Sequence, residues 1–164
     1  MIFVDTSAVY AWADSADANH SIALRRLDAI LEAGEELLTH NYVLVESMAL
    51  LQARLGIAAA MKLARDARNF VLEWVDEDLH ALAVRELEHP KKRQVSLVDH
   101  VSFLVMKRHD VATAFAFDSD FAAAGFRLFF GVGRVVGLRW FLCRGRTYLH
   151  DPSMDFPKNL ESHC

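Results

Sequence analysis

Four short apolar runs alternate with longer helical patterns along the first 126 residues, and this alternation leaves few folds open. The runs are IFVD at 2–5, ELLTH at 36–40, VLEWV at 71–75 and VATAFAF at 111–117. Strands of about five residues separated by helices indicate a parallel sheet, because each parallel connection needs a crossover long enough to hold a helix. TSAVYAWAD begins the first helix, with Thr6 or Ser7 as its cap. Asn19 opens a second pattern, in which Ile22, Leu24, Leu27, Ile30 and Leu31 recur near the helical period, and Gly34 ends it. Asn41 caps a third helix that stops at Gly56, and an Ala-rich helix follows over 57–70. Asp76 caps the next helix and Pro90 closes it. Ser96, with Asp99 three residues on, has the form of a capping box with Asp in place of Glu. SDFAAAGF, at 119–126, makes a short helix and a turn.

Beyond Phe126 the pattern changes. Glycines stand at 131, 133 and 137, followed by arginine-rich aromatic stretches and a polar end with two prolines. One further strand is all that this tail suggests. Residues 1–130 are therefore taken as one domain and 131–164 as a C-terminal extension without an assigned structure. A chain of 164 residues with 53% hydrophobic content can bury a real core. No run approaches the roughly 18 apolar residues of a membrane span. The opening MIFVDTSAVY lacks the basic region of a signal peptide, so the expectation is a cytoplasmic protein with no membrane segment. Cys143 and Cys164 alone do not indicate an oxidising compartment. Residues 1–126 carry 12 basic against 19 acidic side chains, and residues 127–164 carry 6 against 3. Such an acidic body does not hold nucleic acid by bulk charge.

Four acids interrupt or terminate apolar runs: Asp5 after IFV, Glu46 within YVLVESMALL, Asp99 within VSLVDHVSFLV, and Asp118 after FAF. Ligands of open parallel α/β sheets bind outside the carboxyl ends of the strands. Asp5 and Asp118 occupy such ends, and Glu46 and Asp99 lie early in helices above the same rim. Each alone has a plainer reading. A strand-end carboxylate is often a cap or turn residue, and Asp99 fits its capping box. Glu46, set in an apolar helix face, needs a partner. Asp118 and Asp120 stand close in AFAFDSDF, and mutual repulsion disfavours that pairing unless a cation or a raised pKa relieves it. Taken together, hard oxygen donors with no neighbouring Cys or His suit Mg2+ or Mn2+.

MIFVDTSAVYAWAD, THNYVLVESMALL, SLVDHVSFLVMKRHD and AFAFDSDFAAAGF, in this order, resemble the four blocks of PIN-domain nucleases, and most of all the VapC-type toxins of bacterial toxin–antitoxin pairs. The resemblance covers roughly residues 1–130. It implies a PIN-like three-layer α/β/α fold with a central, mainly parallel sheet of four or five strands. It also implies a Mg2+- or Mn2+-dependent endoribonuclease with Asp5, Glu46, Asp99 and Asp118 as catalytic acids. Asp5, Asp99, Asp118 and Asp120 would hold metal, and Thr6 or Ser7 would touch a metal-bound water or a phosphate. The implied partners are an RNA substrate, a cognate antitoxin and a second copy in a homodimer. Two departures stand out: Ala116 occupies a place where the family often has Thr, and the tail from Arg127 is longer than the family pattern.

The basic pairs and triplets at 25–26, 91–93 and 107–108 are candidate phosphate guides, each with a plain reading as solvated surface. GVGRVVG fits neither the dinucleotide nor the Walker pattern. Cys143, His150, His163 and Cys164 match no common zinc spacing. RVVGLRWFLCRGR could contact RNA, a partner or a neighbouring subunit. His100, Trp12 and Trp74 are read as structural or core residues. Two rivals remain. A haloacid-dehalogenase-type phosphohydrolase wants Asp-x-Asp at its first strand, and here Ser7 stands at the second position. A PIN-fold nucleic-acid-binding module with weakened or no catalysis is favoured by Ala116 and the tail.

Overall fold

The computed structural model describes residues 1–88 and 95–130 together with two strands, Trp140–Cys143 and Arg146–Leu149. Readings that fall on Pro90, the 91–93 triplet, the glycine run, His150, His163 and Cys164 lie outside the described residues. The chain divides into two compact units, Met1–Gly131 and Val132–Cys164.

In the first unit the strands are β1 (Ile2–Val4), β2 (Leu37–His40), β3 (Val71–Glu73), β4 (Thr113–Phe115) and β5 (Arg127–Leu128). The helices are α1 (Thr6–Ala13), α2 (His20–Glu32), α3 (Asn41–Leu55), α4 (Ile57–Asp66), α5 (Glu77–Glu88), α6 (Leu97–Arg108) and α7 (Asp120–Ala123). All five strands are parallel, in the order β3-β2-β1-β4-β5. In the second unit, β6 (Trp140–Cys143) and β7 (Arg146–Leu149) form an antiparallel pair.

Alternation along the strands explains the layers. Ile2 and Val4 pack with α1, α2 and α4 side chains such as Ala8, Ile30 and Leu63. Phe3 points the other way, into a cluster with Leu79 and Ala83 of α5 and Val101 and Met106 of α6. Successive strand residues face opposite sides, so helices cover both faces and the sheet is the middle layer of three. Phe121 is fully buried and meets the Phe3 and Phe103 rings at 5.9 and 5.2 Å, which anchors the short α7 to the core. Losing such a ring typically costs about 3–5 kcal/mol. Gly56 has φ +89°, where a side chain would be strained, and it lets α3 break directly into α4.

Three local expectations are corrected. Asp5, not Thr6 or Ser7, caps α1. His40, not Asn41, caps α3: its Nδ1 accepts the Val43 N–H at 3.3 Å, while the Asn41 side chain accepts the Val75 N–H at 2.9 Å. Trp74 is not a core residue but 70% exposed, because it follows an edge strand whose own residues are only half-buried. The Asp76 cap and the Ser96/Asp99 capping box are both present. Among the described residues, no helix is long and apolar enough to cross a membrane.

Candidate active site

From β1 the chain steps outward to β2 and β3, then returns to add β4 and β5 on the other side of β1. The strand order therefore reverses between β1 and β4, the position where open α/β sheets form their ligand crevice. Val4 is level with Phe115 across this pair, so Asp5 and Asp118 both emerge at the carboxyl end of the reversal point.

Asp5 is buried, and its Oδ2 accepts both the N–H and the hydroxyl of Ser7, at 2.9 and 2.5 Å. The Ser7 hydroxyl also accepts the Phe117 N–H at 2.9 Å. One serine thus joins the acid after β1 to the backbone just before Asp118. The backbone reinforces this link, with the Asp5 N–H donating to the Phe115 carbonyl at 3.2 Å. Asp118 is half-buried, and its Oδ1 accepts the Asp120 N–H at 2.8 Å, closing a tight turn into α7.

The neighbouring hydroxyl reaches the other way. Thr6 Oγ1 donates to Glu46 Oε2 at 2.6 Å and accepts from the buried Ser47 hydroxyl at 3.3 Å. Glu46 itself is exposed, which corrects its reading as an acid within an apolar face; the neighbouring Val45 is exposed as well. Ser47 escaped the sequence reading, and its one signal was a hydroxyl directly after the candidate acid. Asp99 is half-buried, and its Oδ2 accepts from the Ser96 N–H and hydroxyl at 3.1 and 2.7 Å.

Burial is the main force on the Asp5 carboxyl and raises its pKa to about 6; the Ser7 hydrogen bonds oppose the rise, and the charge of Asp99 adds to it. Asp99 is therefore felt at Asp5. Asp120 is buried as well. It borders a cavity of about 420 Å³ shared with His100, Phe103 and Lys107 of α6. Buried His100 stacks edge-on against Phe103, 6.3 Å between centroids, in keeping with its structural reading.

Hydrogen bonds thus gather the segments of Asp5, Glu46 and Asp118, and charge links Asp99 to Asp5. Among the described residues, no three or more Asp, Glu, His or Cys side chains form a ready metal cage. The donor chemistry nevertheless fits a hard divalent ion: every candidate atom is oxygen, and Asp5 is a buried carboxylate whose ionised form a cation would favour.

Comparison with known proteins follows the same lines. The PIN domain family matches over residues 2–127. Two curated relatives, from the CDC 1551 / Oshkosh and H37Rv strains of Mycobacterium tuberculosis, are described as 23S rRNA-specific endonuclease VapC20. Each is 41% identical over 128 residues, spanning 77% of this chain and 95% of the relative. The crystal structure of M. tuberculosis VapC20, described as a Sarcin-Ricin loop cleaving toxin, superposes with a TM-score of 0.68 at 38% identity. That match covers 77% of this chain and 96% of the other.

Proposed function

The chain belongs to the PIN-domain family, and from that premise we propose that it is a VapC-type ribonuclease toxin whose acids hydrolyse RNA around a divalent cation. The observation that carries the reading is the pair of adjacent hydroxyls, Thr6 and Ser7. They tie the Glu46, Asp5 and Asp118 segments into one rim where the strand order reverses.

Asp5, Asp99, Asp118 and Asp120 are assigned to hold the cation, Mg2+ or Mn2+. When bound, such an ion lowers the pKa of a coordinated water and offsets charge on the scissile phosphate. Ser7 keeps the Asp5 carboxylate oriented through Oδ2. Thr6 holds the Glu46 carboxylate toward the same rim, where it can accept a proton from the attacking water. The acids would repel a phosphodiester unless their charge were compensated, so substrate and cation enter a mutually dependent arrangement. No side-chain nucleophile is needed.

The relatives act on 23S rRNA, and we assign the same substrate class here: an RNA loop whose unpaired bases can be splayed out for recognition. An antitoxin partner, a homodimer and a cytoplasmic location belong to the same reading. A second reading is an RNA-binding module with weakened catalysis, suggested by Ala116 in the last acidic block and by the long tail. Of the two, Ala116 bears on it less, because this residue is buried in the α5/α6 cluster beside Phe103 and Phe121.

The test is cleavage of 23S rRNA fragments by the purified chain with chelator, Mg2+ or Mn2+. Metal-dependent cleavage that is lost in both Asp5→Asn and Asp99→Asn is the expected result. Cleavage unchanged in both variants would remove the nuclease assignment, and binding without cleavage in any metal would favour the second reading.

A further inference from the structure

We infer that Arg26 and Phe130 form a nucleotide platform beside the acids, on which one RNA base stacks while the guanidinium takes a backbone phosphate. The inference rests on the ribonuclease reading for the identity of its ligand.

Arg26 belongs to one of the basic pairs in the sequence, yet it is not a freely solvated side chain. Its guanidinium carbon lies 4.9 Å from the centroid of the Phe117 ring and 5.3 Å from that of Phe130. It is half-buried, and among the described residues its Nε is buried without a hydrogen-bond partner and no carboxylate pairs with it. A structural arginine at this depth normally finds an acid. This one is held by aromatic faces instead, with its charge left for an outside anion.

Phe130 supplies the second observation. It is 75% exposed, the most exposed of the large apolar side chains among the described residues. It stands two residues past Leu128, which pairs with Ala114, so it is level with Ala116 at the carboxyl end of the sheet. Phe117 and Asp118 follow at that same end. The platform and the acids therefore share one rim, the carboxyl end of β1, β4 and β5. A strand of RNA with its phosphodiester at the acids would have an adjoining nucleotide over Phe130. Base–aromatic stacking tolerates any base, because every base has a π-face. The acidic body also lacks bulk attraction for RNA, and an unpaired guanidinium on the rim meets that need.

The test uses the full chain in chelator, so that binding is measured without cleavage. The probes are a short fluorescent single-stranded RNA and an abasic oligoribonucleotide of equal length. Phe130→Ala is expected to weaken binding of the RNA about 5- to 150-fold, the range for one stacked base, and to leave the abasic strand unaffected. Phe130→Trp should retain the affinity. Arg26→Gln should weaken both probes and flatten the salt dependence by about 0.7 in log–log slope. Wild-type RNA affinity in Phe130→Ala would overturn the platform, as would equal weakening of the abasic strand or failure of Trp to substitute. Loss of antitoxin binding with unchanged RNA affinity would assign the face to protein and overturn it too. If the binding pattern holds while no metal supports cleavage, the platform stands and the ribonuclease reading falls.

Discussion

Asp5 carries a charge that the fold itself disfavours. Its carboxyl is raised to about 6, above the unfolded value of 3.8, so the folded state binds more protons between those limits. The charged form therefore weakens the fold as pH rises, and the whole penalty is present above about 6. Asp5→Asn keeps a good helix cap and removes this charge. In chelator at pH 8 it should unfold at higher denaturant, by about 1–3 kcal/mol, and with Mg2+ or Mn2+ supplied it should fail to cleave RNA. The gain should vanish below about pH 4. A variant that lost stability at pH 8 would contradict the buried-charge account. Thr6 makes a different kind of contribution. Thr6→Val keeps the shape and loses the hydrogen bond to Glu46, and cleavage should drop about 10- to 100-fold with little change in melting. At this scale the sequence displayed the acids but not the wiring. Ser7 could be seen as a hydroxyl near Asp5; its bond to the Phe117 N–H spans the fold, and no local pattern encodes it.

Helices α3 and α6, which carry Glu46 and Asp99, are joined by a buried imidazole. His40 Nδ1 accepts the Val43 N–H, so Nε2 holds the proton and donates to the Ser102 hydroxyl at 2.9 Å. Ser102 in turn donates to the Val98 carbonyl at 2.9 Å. Burial holds the His40 pKa near 3, well below the unfolded value of 6.5. The neutral form is the one that fits, so its contribution is complete above 6.5 and is lost as pH falls toward 3. Denaturant unfolding at a series of pH values should show wild type losing on the order of 3–5 kcal/mol relative to His40→Asn across that window. Asp5 titrates in both proteins and cancels from the difference. Parallel stability profiles would exclude His40 as the source. Element identity was largely legible here: the β/α alternation, the Asp76 cap and the capping box all stand. The caps of α1 and α3 were not: Asp5, Thr6 and Ser7 are all favoured cap types and the sequence does not say which of the three leads the helix, while a long-range contact draws the Asn41 side chain to Val75. Trp74 was misplaced for a related reason: apolar character in a strand does not reveal that the strand lies at an edge.

Among the described residues, both apolar clusters of the first unit are built from side chains between Ile2 and Phe129. A chain of residues 1–131 should therefore fold cooperatively and keep metal-dependent cleavage within a few-fold of the full chain. Calorimetry and the rRNA assay check this, and a truncated chain that melts without a cooperative transition would give residues 132–164 a structural share. The layered architecture was readable because strand and helix periods differ so plainly; the tail was not, because glycine and arginine clusters fix no period. The hydrogen bond from Phe117 to Ser7 crosses 110 positions of sequence. While the polypeptide is still emerging from the ribosome, the N-terminal half holds one half of a blade whose other half has yet to be translated. A cell making this enzyme is thus spared its cutting edge until nearly the last parallel strand has been synthesised and docked.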